Sequence, residues 1–503
     1  MVSTVTAPTS NLDGSLLRGI AWTGATKWLA QVVTWTGTLV LARLLSPADY
    51  GLVGMAYLFL GLMAILTEFG LAAVVVTHQD LTLRELGEIH GLAAGLGALG
   101  AVTAWAAAYP IGLFFDDARL PLILVGLSAA FMLATLRTVP EALLRRDLRF
   151  RALGTLEALQ AVLSTIVIIL AALAGLAHWA LVLGPVVAQA VATLITARLR
   201  PCGFRVPTRR LLRLFRFSRD VLVERLSWYA YENSDFLVAG RRLGPAALGA
   251  YSLAWTIASV PVSRVAGLVA RVTPSFFSRL QNDPPALRRL LVNTTEGLAL
   301  VTLPSSLGLA VVADDLVPLF LGPKWNAVTA PLRLLAVCAT LRCVATLFPQ
   351  VLVALRDTRF LMLTGLAMAL LLPPSFLVAS AWGATGIAAV WLCVYPLLVV
   401  PLAWRTFRLT GLRPGEYVAA LWPAVQGSAP MLLAVLLTKY LTPPSLPTWI
   451  RLAMQIGTGL VVFGLVGILP NRERFRALIR LFRGASPAAA LPPTDTVEPQ
   501  PPS

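Results

Sequence analysis

Apolar stretches of about twenty residues follow one another along nearly all of this 503-residue chain, and each is long enough to cross a bilayer as a helix. Backbone that crosses lipid must satisfy its own N–H and C=O groups, which leaves only helices or closed barrels. The runs are continuously apolar and do not alternate, so they select helices. Fourteen spans are read, at roughly 19–44, 50–76, 89–113, 120–144, 152–175, 178–198, 219–241, 246–273, 291–321, 327–354, 360–380, 384–404, 417–440 and 448–469. The expected fold is an all-α polytopic membrane protein of about 14 transmembrane helices. Only 13% of the residues are charged, where a soluble domain carries roughly a quarter.

A stretch between the first two spans recurs. Residues 41–57 read LARLLSPADYGLVGMAY, and 239–255 read AGRRLGPAALGAYSLAW. At a shift of 198 residues Arg43, Leu45, Pro47, Ala48, Gly51 and Ala56 meet Arg241, Leu243, Pro245, Ala246, Gly249 and Ala254. A second element, Arg-Asp-x-Arg-Phe, stands at Arg146–Phe150 and again at Arg356–Phe360. Two elements repeated in one order indicate a duplicated half. Six spans separate the copies, so both halves keep one orientation and form parallel repeats. The expected organisation is a disordered leader (1–15), an N-terminal six-helix lobe (16–199), a basic amphipathic cytoplasmic linker (200–218) and a C-terminal six-helix lobe (219–410). A further helix pair (411–470) and a basic, then Pro/Ala-rich disordered tail (471–503) complete it.

The net charge of +17 raises the question of a nucleic acid partner. Topology accounts for it instead. With both termini inside, 27 of the 41 Lys and Arg residues fall on cytoplasmic segments, 7 on outer segments and 7 within spans. That is the positive-inside bias of a plasma-membrane protein. The cysteines (Cys202, Cys338, Cys343, Cys393) and histidines (His78, His90, His178) show no metal-ligand or disulfide spacing, so neither metal nor cofactor is expected.

Charges inside the spans carry the chemistry: Lys27, Arg137, Arg225, Arg264, Arg271, Arg333 and Arg342, against Glu68, Glu157, Glu224, Glu232, Asp235 and Glu296. A central charge facing lipid costs about 3 kcal/mol, so these groups should face protein or a watery cavity. Lys27, Gln31, Thr34 and Thr38 share one helix face. Glu224, Trp228, Tyr231, Glu232 and Asp235 share another, with Arg225 beside them. Arg264 and Arg271 lie seven apart on a third. Lys27 and Arg225 are repeat equivalents. A central cavity is expected with Lys27, Gln31, Arg225, Trp228, Tyr231, Arg264 and Arg271 binding substrate and Glu232 or Asp235 available for ion coupling. Arg137 and Glu141 read as a local ion pair.

The ARLLSPADYG turn, EFGLAAVVV, RDLRF, YENSDFLVAGRRLGPAALGAYSLAW and the FLGPKW turn at Phe320–Trp325 together resemble the Wzx-type oligosaccharide flippases, over about residues 15–410. The branch is that of colanic acid and teichuronic acid exporters in the multidrug/oligosaccharidyl-lipid/polysaccharide exporter superfamily. The resemblance implies a V-shaped pair of six-helix lobes. It implies alternating-access transport of an undecaprenyl-pyrophosphate-linked oligosaccharide from the inner to the outer leaflet of the bacterial plasma membrane, beside polysaccharide polymerase machinery. The last helix pair is similar in placement to the extra pair of the lipid II flippase. The cations suit a pyrophosphate, and Trp28, Trp35, Trp228, Tyr229 and Tyr231 suit sugars. The alternatives are a cation-coupled multidrug exporter of the same superfamily, which would favour acidic cavity residues, and a lipid II-type flippase. An enzyme would need a sizeable outer loop with paired carboxylates, for which Asp116-Asp117 is the only suggestion.

Overall fold

The computed structural model describes residues 31, 33–67, 71–78, 80–208, 219–470 and 472. Lys27, Glu68, the leader, the basic part of the linker from 209 and the tail from 473 lie outside them. The described residues form helices and connecting turns. They are α1 (33–44), α2 (Pro47–Thr67), α3 (Leu71–Thr77), α4 (Leu83–Phe115), α5 (Leu120–Arg146), α6 (Phe150–Leu173), α7 (His178–Leu199), α8 (Arg219–Arg279) and α9 (Pro284–Phe320). Then come α10 (Thr329–Ala345), α11 (Leu347–Ala354), α12 (Thr358–Ala379), α13 (Gly383–Cys393), α14 (Tyr395–Thr410), α15 (Pro414–Leu441) and α16 (Thr448–Val462).

The chain is a multi-pass membrane protein: 11 helical stretches among the described residues are long and apolar enough to cross a bilayer. Two of them, Arg225–Ser263 and Thr358–Thr410, hold 39 and 53 residues. At about 1.5 Å per residue either would overrun a hydrocarbon core of about 30 Å. Each is interrupted at a glycine of positive φ, Gly244 (φ 80°) and Gly383 (φ 70°), a conformation only glycine adopts without cost. Gly244 stands where Ser46 stands in the first copy. There the turn is made differently: Ser46 and Asp49 bond each other through side chain and backbone, opening α2.

The repeated stretches meet. A Cβ on Gly51 would stand 1.8 Å from the carbonyl oxygen of Pro245, and a Cβ on Gly249 would stand 1.8 Å from that of Pro47. The 198-residue shift carries Pro47 onto Pro245 and Gly51 onto Gly249. The contact is therefore reciprocal, the self-complementary pattern of a two-fold interface, here within one chain. The second repeat also closes alike in both copies. Asp147 pairs with Arg200 just beyond α7, and Asp357 pairs with Arg405 on α14 at 2.7 Å. In both copies the acid of the repeated loop holds an arginine about fifty residues further along the chain.

The described residues divide into two compact units. One runs up to Leu253 and includes Phe320–Ala327 and Gly365–Ile387. Leu52, Met55, Leu120, Ile123 and Leu124 are buried in it. The start of the linker belongs here, while the basic stretch expected to form an amphipathic helix, from 209, lies outside the described residues. Residues 201–208 are extended. They lie along α4, with the Arg205 N–H donating to Gly87 O at 3.0 Å and the Thr208 hydroxyl to Glu88 at 2.7 Å. Gly91 permits this, since a Cβ there would stand 2.0 Å from Arg205 O.

The other unit holds Ala254–Leu319, Val328–Thr364 and the chain from Ala388. Phe277, Leu287, Leu291, Leu347 and Val351 form its main core. The final helix pair, α15 and α16, packs on α9 through Val312, Met431, Val435 and Leu452. Polar contacts pin it there: Asp314 binds Arg333 and Lys439, while Asp315 binds Arg451 at 2.5 Å and Gln455 at 2.7 Å.

The charge bias of the sequence predicts both termini inside, and accessibility can test it. Asn326 and Val206 are both exposed, on loops expected outside and inside respectively. In a cysteine-free background, cysteine at Asn326 is expected to react with an impermeant maleimide on intact cells. Cysteine at Val206 should react only after permeabilisation, and its labelling on intact cells would overturn the topology.

Candidate functional site

The residues expected to form a polar face lie on α8. Arg225, Trp228, Tyr231, Glu232 and Asp235 fall at helical spacing on the segment before Gly244. Exposure falls along it. Arg225 is exposed and Trp228 is 45% exposed; Tyr231 and Glu232 are half-buried, and Asp235 has no exposed surface. The Asp235 carboxylate accepts from the Tyr251 hydroxyl at 2.7 Å and from the Phe236 N–H at 2.8 Å. These bonds meet the need of a buried carboxylate for donors and tie the two arms of α8 across the Gly244 break.

Beyond Asp235 the same unit is sealed. The Gly51–Pro245 and Gly249–Pro47 contacts lie there, and the FLGPKW turn is laid across the end of α1. Trp325 is fully buried, and its Nε1 donates to Ala42 O at 2.7 Å. Lys324 Nζ donates to the carbonyls of Arg43 at 2.9 Å and Leu45 at 2.7 Å. Arg43 Nε donates to Phe320 O at 3.1 Å. A lysine here satisfies carbonyls that the end of a helix leaves without intrahelical partners. The face thus runs from an exposed cation to a closed end.

The other expected site residues are placed as follows. Gln31 is half-buried at the first described residue of the first span. Arg264 and Arg271 lie on the second arm of α8, and only their backbone is described. Lys27 is outside the described residues. Tyr229, expected to offer its ring to sugars, does something else. Its hydroxyl donates to Leu58 O on α2 and its ring lies against Gly61, so it fastens α8 to α2.

Three intramembrane cations have partners that spacing did not show, or showed only in part. Arg333 is held by Asp314. Arg137 binds Glu141 at 3.0 Å, as expected, but also Gln160 on α6 at 2.7 Å. Arg342 stacks on two indoles, 4.1 Å from the Trp255 ring centre and 4.5 Å from that of Trp391. Desolvated cation–π contacts of this kind reach about 2 kcal/mol each, enough to settle a cation in a membrane helix. No sequence signal joins residues 255, 342 and 391. The two carboxylates considered for catalysis stand at the end of α4. Asp116 ends α4 at φ 58°, and Asp117 binds Arg119 at 2.7 Å, whose guanidinium holds that carboxyl below the usual carboxylate range.

Comparison with known proteins follows the same lines. Residues 40–330 match the family described as polysaccharide biosynthesis protein. The lipopolysaccharide biosynthesis protein WzxC of Escherichia coli is 27% identical over 410 residues, covering 78% of this chain and 81% of WzxC. The teichuronic acid biosynthesis protein TuaB of Bacillus subtilis is 25% identical over 385 residues, 74% of this chain and 80% of TuaB. Among solved structures, the lipid II flippase MurJ in an inward closed conformation superposes with a TM-score of 0.65 at 12% identity, over 91% of this chain and 99% of MurJ. That likeness concerns the fold.

Proposed function

The chain belongs to the polysaccharide biosynthesis protein family, and on that premise we propose that it is a flippase for an undecaprenyl-pyrophosphate-linked oligosaccharide. It is a transporter and not an enzyme. It moves its cargo across the bacterial plasma membrane by alternating access, with both termini in the cytoplasm, and supplies surface polysaccharide assembly. The observation that carries the reading is the α8 face. A cation, two aromatic rings and a carboxylate stand on one side of a stretch apolar enough to span lipid. Such a face is costly against lipid and suits a solute with an anionic head and sugar rings.

In this reading Lys27, Gln31, Arg225, Trp228, Tyr231, Arg264 and Arg271 surround the head group. Cations in a low-dielectric cavity attract a pyrophosphate more strongly than cations in water do. The interior-negative potential then favours outward movement, by about 2.3 kcal/mol per charge per 100 mV. Glu232 has the position to exchange a counter-ion, while Asp235 is enclosed by Tyr251 and Phe236. The seal formed by Trp325, Lys324 and the paired glycine turns is the closure that must part for release.

The test is complementation. In a strain lacking its own polysaccharide flippase, this protein is expected to restore surface polysaccharide and to clear the lipid-linked oligosaccharide that accumulates inside. Membrane-inserted protein that restores nothing would overturn the reading. Resistance to cationic drugs in its place would point to a multidrug exporter. Rescue of a strain depleted of its lipid II flippase would point to that cargo.

A further inference from the structure

A cavity of about 270 Å³ lies among α2, α3, α4 and α5, close to the lower bound for small-molecule sites of about 300 Å³. Its polar wall is Arg137, Glu141 and Arg145, one helical turn apart along α5. Its apolar wall includes Ala72, Phe131 and Ala134. Both arginines bind the one carboxylate, Arg137 at 3.0 Å and Arg145 at 2.6 Å. Pairing within the helix needs a single cation, so the second leaves the polar wall with an excess positive charge. Arg137 is also fixed from behind. Its second donor goes to Gln160 at 2.7 Å, and the Gln160 amide nitrogen donates to Gln189 on α7 at 2.7 Å. Three helices therefore hold one guanidinium, the prior ordering of a binding group that spares entropy when a ligand arrives. The side chains of Arg137 and Glu141 are 19% and 20% exposed, whereas that of Arg145 is 54% exposed, so the cationic wall leads outward at the end of α5.

We propose that this cavity is a docking subsite for the phosphoryl head of a single-chain polyprenyl lipid, distinct from the α8 face. It rests on the transport reading above. A phosphate is the anion that planar, paired guanidinium groups bind best, and an apolar wall beside it suits the first part of a hydrocarbon tail. Glu141 acts as the stand-in anion, engaging both arginines until a phosphate displaces it. The position supports an entry role. α2 lines the cavity through Ala64 and, one turn away, takes Tyr229 of α8 against Gly61 and Leu58. The end of α5 that carries Arg145 is the cytoplasmic one by the charge bias. A lipid held here sits beside the exposed end of the α8 face, in the leaflet from which it must be taken.

The experiment uses the full-length protein in lipid nanodiscs, with binding of undecaprenyl phosphate read by native mass spectrometry. Phosphatidylglycerol and inorganic pyrophosphate serve as competitors. Arg137→Gln is expected to weaken binding at least tenfold and Arg137→Lys less. Ala134→Trp, at an exposed wall position, fills the cavity without touching a charge and should weaken binding equally. If Arg137→Gln does not fold, Arg137→Lys and Ala134→Trp decide. Wild-type affinity in the folded variants overturns the subsite, as does absence of binding in the wild type. Competition by phosphatidylglycerol equal to that of the polyprenyl lipid, or by pyrophosphate, overturns the polyprenyl assignment. Polysaccharide export separates the two readings. Export by the wild type together with unaltered lipid binding in the variants removes the subsite alone, while failure of wild-type export removes the transport reading.

Discussion

Alanine at Gly51 or at Gly249 is expected to strip the protein of much of its stability and of its export. The added methyl would stand 1.8 Å from a backbone carbonyl oxygen of the opposite copy, Pro245 or Pro47. A flexible side chain could swing away from such a clash, but a carbonyl at the start of a helix cannot. Overpacking into rigid surroundings costs about 1–3 kcal/mol and more where backbone must shift, so about 3 kcal/mol or more is expected at either site. That corresponds to a fall of roughly 3 °C or more in the melting temperature of a chain this long, measurable by thermal unfolding in detergent. Gly54→Ala is the control, because its nearest neighbour is Leu248 Cδ2 at 3.9 Å, an ordinary contact. The double variant should cost less than the sum of its parts, since both substitutions open the same seam. Wild-type melting in both single variants would show that the repeated turns do not pack in this reciprocal way.

The second large effect is expected at the cations of the proposed cavity. Glutamine in turn at Lys27, Arg225, Arg264 and Arg271 should cut polysaccharide export tenfold or more and leave the amount of protein in the membrane unchanged. A charge-assisted bond to phosphate is roughly twice as strong as a neutral one, and tenfold corresponds to about 1.4 kcal/mol. Lysine at Arg225 should keep part of the activity, because charge survives although the planar fork is lost. Arg333 and Arg342 are expected to behave differently. Their partners, Asp314 and the Trp255–Trp391 pair, belong to the protein, so glutamine there should lower stability and protein level along with export. Normal export by all four cavity variants would make these cations structural and move the site elsewhere.

Much of this was legible in the chain itself. Hydropathy is a local quantity: twenty apolar residues in a row decide that a segment enters lipid, whatever lies elsewhere. The helical class, the multi-pass character and the duplicated turns followed from such runs and from a 198-residue self-comparison. Helical period put Glu224, Trp228, Tyr231, Glu232 and Asp235 on one face with Arg225 beside them, and the structure continues one helix through these positions. The turn motifs also pointed to the family that the match over residues 40–330 establishes. Partnership was not legible, because it depends on how each helix is rotated about its axis and which helix it meets. Hydropathy and period fix neither. Only the tertiary structure set the two glycine turns against each other, brought Arg342 between indoles 87 and 49 residues away in the chain, and gave the Tyr229 ring to α2 and not to a cavity. It laid residues 201–208 along α4, where Gly87 and Gly91 leave room for backbone. It also pinned the last helix pair to α9 through Asp314 and Asp315, acids whose partners lie more than a hundred residues on, at Lys439 and Arg451. In lipid the strength of such a contact is set by the few polar groups that find one another, and that meeting is a property of the folded chain.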